Sequence, residues 1–304
     1  MEKNKIAIIC PYFGKLPLNV KYTLESMKRN TFIDWIIFTD DNISNYSFTN
    51  IKFIKYSFKE IEKLIYNKVG TVIKNVYKLC DYKIVYGKIF EDYLKGYEFW
   101  GYCDLDMVFG DLDAYLNKNN LLSQYDKIFD LGHFSIIRND EYLNKLYMHY
   151  NNYKKILNSE YIYVLDESYP NHLSINEIME NENFNLYRNR ECFSDIKIRY
   201  RNFYTLENEK SKYTYFYFNK GKLYKKSLTE DFQKEILYVH FQKRNFEEYQ
   251  IEENFDSFYI TPKGFSIEEN IKSKFYSGYS LRIKPYIKMR IKRFIDNIKK
   301  RNDK

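Results

Sequence analysis

The 304-residue chain contains little cysteine, proline or glycine: four, five and ten residues, respectively. Cys10, Cys80, Cys103 and Cys192 are separated by 70, 23 and 89 residues, which matches neither a zinc-site spacing nor the framework of a small disulfide-rich protein. We therefore expect packed thiols in a reducing cytoplasm. No linker rich in proline, glycine or serine and no internal repeat occurs before about residue 265, which predicts one domain over residues 1–270 and a tail over 271–304.

Long apolar runs are also missing. No stretch of about 18 uncharged apolar residues occurs, so the sequence predicts no transmembrane helix. The apolar run at residues 6–10 is too short for the hydrophobic region of a secretion signal, and we expect a cytoplasmic protein. With 33 Tyr and 24 Phe, the chain has ample apolar surface to bury, which excludes disorder over most of its length.

The positive charge is concentrated at the C-terminus. Residues 281–304 hold ten Lys and Arg against two Asp, so this segment alone carries the net charge of +8 of the whole chain. Isoleucines and Phe294 recur there at helical spacing and predict a basic amphipathic helix. Such a helix is typical of attachment to an anionic membrane surface, here the inner face of the plasma membrane. A helix docked on the body with solvated charges is an equal alternative. Nucleic-acid binding is not predicted, because no recognised motif accompanies the charge.

The first half of the chain alternates apolar strand patterns with helical patterns. Strands are predicted at 6–10, 34–38, 51–56 and 99–103, and helices at 18–27, 58–67 and about 74–95. This order indicates an α/β fold with a mainly parallel sheet between helices, in which ligands bind beyond the carboxyl ends of the strands. Polar clusters follow three of those ends, at residues 11–14, 39–41 and 104–106.

The second half is less regular. A strand is predicted at 134–137, helices at 140–157 and 174–181, and a hairpin from 213–218 and 223–226. A further strand is predicted at 235–240, directly before Lys243 and Arg244.

The clearest chemical signal is the pair Asp104 and Asp106 after the strand at 99–103. In an extended chain two residues separated by one position point to the same side, so both carboxylates can hold one divalent cation. Mn²⁺ or Mg²⁺ bound in this way would screen the negative charge that grows as a nucleoside diphosphate leaves.

Several blocks of the sequence resemble a bacterial family of glycosyltransferases with the GT-A fold, found in polysaccharide gene clusters. The most specific blocks are Trp100-Gly101-Tyr102-Cys103-Asp104-Leu105-Asp106 and His240-Phe241-Gln242-Lys243-Arg244. Looser matches at 10–14, 37–41, 77–83, 132–133 and 166–167 extend the resemblance over roughly four-fifths of the chain. The stretch from Asp81 to Asp106 is more remotely similar to the Asp-X-X-Arg and Asp-X-Asp layout of mannosyltransferases and clostridial glucosylating toxins, with Lys83 near the place of the Arg.

The resemblance implies a nucleotide site at the ends of the first strands. It places Pro11 and Tyr12 against the base or ribose, and Asp81 near the ribose, with helix capping as the alternative for Asp81. Asp40 and Asp41 end the second strand, where a carboxylate can accept hydrogen bonds from ribose hydroxyls or a uracil N–H. A solvated turn is the alternative for these two acids.

The same resemblance suggests that His240 completes the metal site, because GT-A enzymes often use a late His or Asp there. Lys243 and Arg244 follow closely and would grip the diphosphate oxygens. His133 is expected on the acceptor side, whereas His149 and His172 are expected to be structural or surface residues.

Asp166 and Glu167 are the candidates for a base that deprotonates the acceptor hydroxyl, if the reaction inverts the anomeric centre. In a retaining enzyme they would orient the acceptor instead, and the sequence leaves both outcomes open.

The sequence therefore predicts a metal-dependent GT-A-type transferase that moves a hexose from a nucleoside diphosphate, preferably UDP, to a glycan or lipid-linked glycan acceptor. One alternative is a haloacid-dehalogenase-type phosphatase, with Asp104 as nucleophile and Asp106 as general acid. A non-catalytic carbohydrate-binding protein is another.

Overall fold

The structure is a computed structural model that describes residues 5–42, 47–168, 173–205, 213–250 and 255–277, together with Ile287. Within these ranges no helix has the length and apolar character needed to cross a membrane. Apart from Ile287, the basic helix predicted at 281–304 lies outside the described residues. That helix and the domain boundary near residue 270 stay predictions.

The described residues form sixteen strands, eight α-helices and four short 3₁₀-helices. The strands are β1 (Ile6–Tyr12), β2 (Ile33–Thr39), β3 (Ile51–Lys55), β4 (Phe99–Cys103), β5 (Met107–Phe109), β6 (Lys127–Leu131), β7 (Phe134–Arg138), β8 (Leu186–Tyr187), β9 (Ser194–Asp195), β10 (Thr214–Asn219), β11 (Lys222–Ser227), β12 (Gln233–Ile236), β13 (Tyr238–His240), β14 (Glu248–Tyr249), β15 (Ser257–Ile260) and β16 (Gly264–Ser266). The α-helices are α1 (Val20–Arg29), α2 (Phe58–Val69), α3 (Leu79–Tyr82), α4 (Tyr86–Ile89), α5 (Leu112–Lys118), α6 (Leu121–Gln124), α7 (Tyr153–Asn158) and α8 (Ile175–Asn181). The 3₁₀-helices are Val76–Lys78, Lys83–Val85, Leu143–His149 and Lys272–Lys274.

A seven-stranded sheet with the order β3-β2-β1-β4-β7-β6-β8 forms the centre of the first half. Strands β3, β2, β1 and β4 run parallel, and β7 is antiparallel to both β4 and β6. The prediction of a mainly parallel sheet is thus confirmed. The register places Tyr12 beside Thr39, so the carboxyl ends of β1 and β2 lie at one edge, together with the end of β4.

The apolar runs form strands because both faces of this sheet are covered. In β1, Ile6 and Ile8 pack into one hydrophobic core, whereas Ala7 and Ile9 pack into another on the opposite face. Consecutive side chains of a strand point to opposite faces, so a strand covered on both sides reads as a continuous apolar run.

The single helix predicted at about 74–95 is wrong in its form. The chain from Val76 to Ile89 instead passes through four successive short segments of 3₁₀- and α-helix. Tertiary packing overrides the local pattern, because most of this segment is buried on several sides. Gly87 lies so close to Trp100 and Asn144 that an added Cβ would collide with both side chains.

Two other elements also differ from prediction. The helix expected at 140–157 is a 3₁₀-helix, Leu143–His149, followed by α7, and Asn152 between them has a left-handed backbone (φ 60°). The strand expected at 235–240 is two strands, β12 and β13, which belong to different sheets. The predicted hairpin is confirmed as β10 and β11.

The second half adds two smaller sheets. One has six strands in the order β12-β11-β10-β15-β16-β14, and the other is the three-stranded sheet β5-β13-β9. In the smaller sheet β13 is antiparallel to β5, which places His240 opposite Met107, and parallel to β9, which places His240 beside Asp195. This pairing carries residues from late in the chain to the end of β4.

Candidate metal and nucleotide site

Two carboxylates and one imidazole converge where β4 ends. Asp104 and Asp106 lie in the turn between β4 and β5, and the pairing of β13 with β5 brings His240 beside them. His240 Nε2 lies 3.9 Å from Asp104 Oδ2 and 3.6 Å from Asp106 Oδ1. Neighbouring ligand atoms of a cation with bonds of about 2.1 Å are roughly 3 Å or more apart, so these separations suit a metal ion. Two carboxylates and an imidazole are donors that Mn²⁺ or Mg²⁺ accepts.

The charges of this cluster are strongly coupled. Burial lowers the pKa of His240, but Asp106 and Asp195 outweigh it and raise this pKa to about 10. Burial raises the pKa of Asp106, whereas His240 and the amide of Lys243 lower it to about 2. The carboxylates therefore favour a cation between them, whether that charge is a proton on His240 or a metal ion.

Lys83 holds the other side of Asp104. Its Nζ lies 2.6 Å from Asp104 Oδ1 and donates a second hydrogen bond of 2.7 Å to the carbonyl of Gly132. Burial opposes the charge of Lys83, but the nearby Asp104 raises its pKa well above the ordinary value. One oxygen of Asp104 is thus fixed by a cation of the protein, and the other faces His240.

Asp195 is the site residue that sequence reasoning missed. Its Oδ1 lies 2.8 Å from His240 Nδ1, and its Oδ2 accepts a 2.6 Å hydrogen bond from Gln242 Nε2. No motif marks Asp195 in the sequence, because its partner is 45 residues away and is reached through the pairing of β9 with β13.

The turn after β13 closes over Asp106. Gln242 and Lys243 both have left-handed backbones, with φ of 50° and 57°, which is uncommon for residues other than glycine. In this conformation the Lys243 amide donates a hydrogen bond to Asp106 Oδ2, and the Phe241 amide donates to the Asp106 carbonyl at 3.0 Å. The Lys243 side chain is exposed, and its Nζ lies 4.2 Å from the centre of the Tyr77 ring.

Arg244 is placed differently from the prediction. Its guanidinium is buried and donates hydrogen bonds of 3.0 Å to the carbonyls of Tyr200 and Pro262, and another to the carbonyl of Arg201. Arg244 therefore ties together segments of the second half, and we assign it no diphosphate contact.

Residues at the carboxyl ends of β1 and β2 lie at the same edge of the seven-stranded sheet as Asp104. Tyr12 is half-buried, and burial together with the nearby charge of Asp106 raises the pKa of its hydroxyl. Asp40 and Asp41 accept hydrogen bonds from the amides of Gly14 (2.7 Å) and Leu16 (2.8 Å). The two acids thus fix the loop that follows β1. Nucleotide contacts from any of these residues remain predictions.

Asp81 is fully buried inside α3 and does not begin a helix. Its carboxylate accepts hydrogen bonds from the amides of Tyr163 (2.8 and 3.0 Å) and Val164 (2.7 Å) and pairs with Lys78 at 2.8 Å. These contacts secure the 161–164 loop, so we do not include Asp81 in the nucleotide site.

Asp166 and Glu167 lie against the turn between β6 and β7. The amide of Gly132 donates a 2.9 Å hydrogen bond to Glu167 Oε1, and a Cβ on Gly132 would collide with Asp166. Burial, assisted by Glu167 and opposed by Lys83, raises the pKa of Asp166 to about 7. The carbonyl of Gly132 also accepts a hydrogen bond from Lys83, so this turn links Asp166 and Glu167 to Asp104.

The other histidines differ in their surroundings. His133 is buried and stacks on the His240 ring with 4.3 Å between centres, so it packs directly against this candidate ligand. His149 pairs with Glu182 at 3.1 Å on the surface, in line with its expected role. His172 lies outside the described residues.

A sequence profile described as a family of unknown function, DUF6625, matches residues 8–269. The chain belongs to this family. No curated protein matches the sequence.

Solved structures show weak similarity to the chain. They include a candidate nucleotide-diphospho-sugar transferase from Desulfovibrio desulfuricans G20 (10% identity, 60% of this chain and 78% of that chain, TM-score 0.31). Another is the glycosyltransferase GlyE of Streptococcus pneumoniae TIGR4 (11% identity, 60% of this chain and 45% of that chain, TM-score 0.32). A third is mouse xyloside xylosyltransferase 1 (7% identity, 63% of this chain and 87% of that chain, TM-score 0.33). The activity of this DUF6625 protein is therefore inferred from its own residues.

Proposed function

We propose that this protein is a metal-dependent glycosyltransferase that moves a sugar from a nucleoside diphosphate to an acceptor hydroxyl. The observation that carries the proposal is the convergence of Asp104, Asp106 and His240 beyond the carboxyl end of β4, which is where parallel α/β sheets bind ligands.

Asp104, Asp106 and His240 would hold Mn²⁺ or Mg²⁺, which when bound would screen the charge developing on the diphosphate leaving group. Lys83 and the Lys243 amide fix the carboxylates from two sides, so each keeps its orientation. The ammonium of Lys243 is exposed and its charge lowers the pKa of Asp106, and it would bind diphosphate oxygens.

The nucleotide would lie across the ends of β1 and β2. Pro11 and Tyr12 would contact the base or ribose, and Asp40 and Asp41 would accept hydrogen bonds from the ribose or base. Support for this arrangement comes from the register of β1 and β2, which brings these residues to the same edge as Asp104.

Asp166 is the better candidate for the base of an inverting reaction. With a pKa of about 7, its carboxyl is partly ionised at neutral pH and holds a transferred proton more firmly than an ordinary Asp would. Glu167, which is bonded to the Gly132 amide, would orient the acceptor. In a retaining reaction both acids would serve orientation.

The finer parts of the proposal rest on the sequence: UDP-hexose as donor, a glycan or lipid-linked glycan as acceptor in polysaccharide assembly, and the basic tail as an attachment to the inner membrane face. The phosphatase alternative is not favoured, because His240 and the Lys243 amide lower the pKa of Asp106 to about 2 and so keep its carboxyl ionised, whereas a general acid must carry a proton.

The proposal is tested by thermal melts with UDP, GDP, CDP and ADP, each with Mn²⁺ and with EDTA. A ligand at about 100-fold excess over its Kd stabilises the folded protein by about 2.7 kcal/mol, or several degrees for a chain of this size. We expect a Mn²⁺-dependent shift with one nucleotide.

Two variants sharpen this test. Asp106→Ala should abolish the shift and the metal-dependent turnover while its metal-free melt stays within about 5 °C of the wild type. Asp256→Ala is the matched control, because it removes a surface carboxylate that precedes β15 and pairs with Lys220 in the turn between β10 and β11; it should keep both the shift and the turnover. Identical melts with every nucleotide would contradict the proposal and favour a carbohydrate-binding protein without this chemistry.

A further inference from the structure

Two residues outside the proposed ligand set hold the ring of His240. Asp195 contacts its Nδ1 at 2.8 Å, and His133 stacks on its face with 4.3 Å between ring centres. We propose that Asp195 is a positioning residue for the metal ligand His240, fixing the ring so that Nε2 faces Asp104 and Asp106. This inference rests on the proposed function, since it presupposes a metal at that cluster.

The hydrogen bond between Asp195 and His240 decides which nitrogen can bind a cation. An ionised carboxylate only accepts hydrogen bonds, so Nδ1 of His240 must carry the donated hydrogen. In the metal-binding, neutral imidazole the lone pair is then on Nε2, the atom 3.6 Å from Asp106 and 3.9 Å from Asp104. Carboxylate–imidazole pairs of this kind fix the tautomer and orientation of metal-bound histidines.

Asp195 is itself held in place by several contacts. Its second oxygen accepts a 2.6 Å hydrogen bond from Gln242, which follows His240 in the left-handed turn. The backbones of β9 and β13 pair in parallel, and the Ile196 amide donates to the His240 carbonyl at 3.0 Å. The pairing of β9 with β13 therefore keeps the two residues side by side, and the Gln242 contact holds the Asp195 carboxylate near the His240 ring.

His133, Asp195 and His240 also lie close enough together to be considered as metal ligands themselves. The 2.8 Å separation of Asp195 Oδ1 and His240 Nδ1 is a hydrogen-bond length, and it is shorter than the roughly 3 Å between neighbouring ligands of one ion. Nε2 of His133 lies 3.2 Å from the Tyr238 hydroxyl. The geometry therefore favours Asp195 acting through His240, with His133 packed against the ring.

The inference is tested by titrating the full-length protein with Mn²⁺ and following free Mn²⁺ by electron paramagnetic resonance. Loss of a carboxylate that orients a histidine ligand weakens metal binding by about 10–100-fold, which we expect for Asp195→Ala. Asp195→Asn keeps an acceptor oxygen, so its Mn²⁺ affinity should fall less than that of Asp195→Ala. The control is Asp34→Ala, which removes a buried carboxylate paired with Lys52 at the far end of β2 and should leave the Mn²⁺ affinity unchanged.

A second readout reports the tautomer directly. Long-range ¹H–¹⁵N spectra of the Mg²⁺-loaded protein should show the hydrogen of His240 on Nδ1 in the wild type. A mixture of tautomers is expected in Asp195→Ala, which a general loss of stability would not produce.

The possible failures are distinguishable. A wild-type protein that binds no Mn²⁺ would overturn the metal site and this inference with it. Wild-type Mn²⁺ affinity in a folded Asp195→Ala protein, or an equal loss of Mn²⁺ affinity in Asp34→Ala, would overturn the inference and leave the proposed function intact.

If Asp195→Ala does not fold, Gln242→Asn replaces it, because Asn tolerates the left-handed backbone while its shorter amide loses the contact with Asp195. A severalfold weaker affinity is then expected, and an unchanged affinity would contradict the inference.

Discussion

Two lysines that lie five residues apart in the succession of short helices at 76–89 each form an ion pair with an aspartate, yet the two pairs have different surroundings. Lys78 pairs with Asp81 at 2.8 Å, and both side chains are 0% exposed. Lys83 pairs with Asp104 at 2.6 Å, with 9% and 31% of the two side chains exposed. The chemistry of the pairs is the same, so their different roles must come from what else each pair contacts.

The first pair has many partners within the fold. Lys78 also donates to the carbonyls of Ile156 (2.8 Å) and Tyr161 (2.5 Å), and Asp81 accepts from two backbone amides. In the second pair, Asp104 keeps one oxygen directed toward His240 and the edge of the sheet. The side chains of the first pair are inaccessible to a ligand, whereas a pair with an oxygen at a ligand-binding edge can take part in chemistry.

The largest difference between the two pairs is expected in the free energy of unfolding of Lys78→Met. Removing one partner of a buried ion pair leaves an uncompensated charge and costs about 3–5 kcal/mol of the free energy of unfolding. Urea denaturation measures this loss directly. A loss below about 1 kcal/mol would show that Asp81 is not the buried, paired carboxylate described above.

A smaller effect on stability and a larger one on activity are expected for Lys83→Met. Asp104 remains partly solvated, so the free energy of unfolding should fall by only about 1–2 kcal/mol. Turnover should fall by about 10–100-fold, because a displaced Asp104 no longer aligns with Asp106 and His240. Steady-state rates and urea denaturation of the same samples test both parts, and Lys83→Arg is the charge-conserving control. Unchanged turnover would place Lys83 with the purely structural pair.

The last prediction concerns the pH dependence of stability that is due to Asp166, a buried acid near Lys83. Between the pKa of an unfolded Asp, about 3.9, and the folded value, the native state holds a proton that the unfolded state has lost. Since the folded pKa is about 7, stability should fall as pH rises through this window and level off above it. Asp166→Asn removes this dependence, so relative to the wild type it should gain as much as about 4 kcal/mol of unfolding free energy between pH 4 and pH 8. Parallel pH profiles of the two proteins would contradict the buried, protonated Asp166.

Much of the first half could be predicted from the sequence because its strands are covered on both faces. The apolar runs that become β1, β2 and β4 are continuous in the sequence, and only a buried parallel sheet accommodates such runs. The segment at 76–89 could not be predicted in the same way, since buried side chains on several sides and the close packing of Gly87 decide its path.

The candidate site also has parts that the sequence could predict and parts that depend on tertiary structure. The sequence by itself determined that Asp104 and Asp106 follow an apolar strand and that a histidine and cations come late in the chain, because local order and spacing are properties of the chain alone. Only the tertiary structure decided that the Lys243 amide contacts Asp106 while Arg244 is buried, and that Asp195 holds His240. The physical reason is that a polar side chain takes its role from the partners that strand pairing brings to it, and those partners lie tens of residues away.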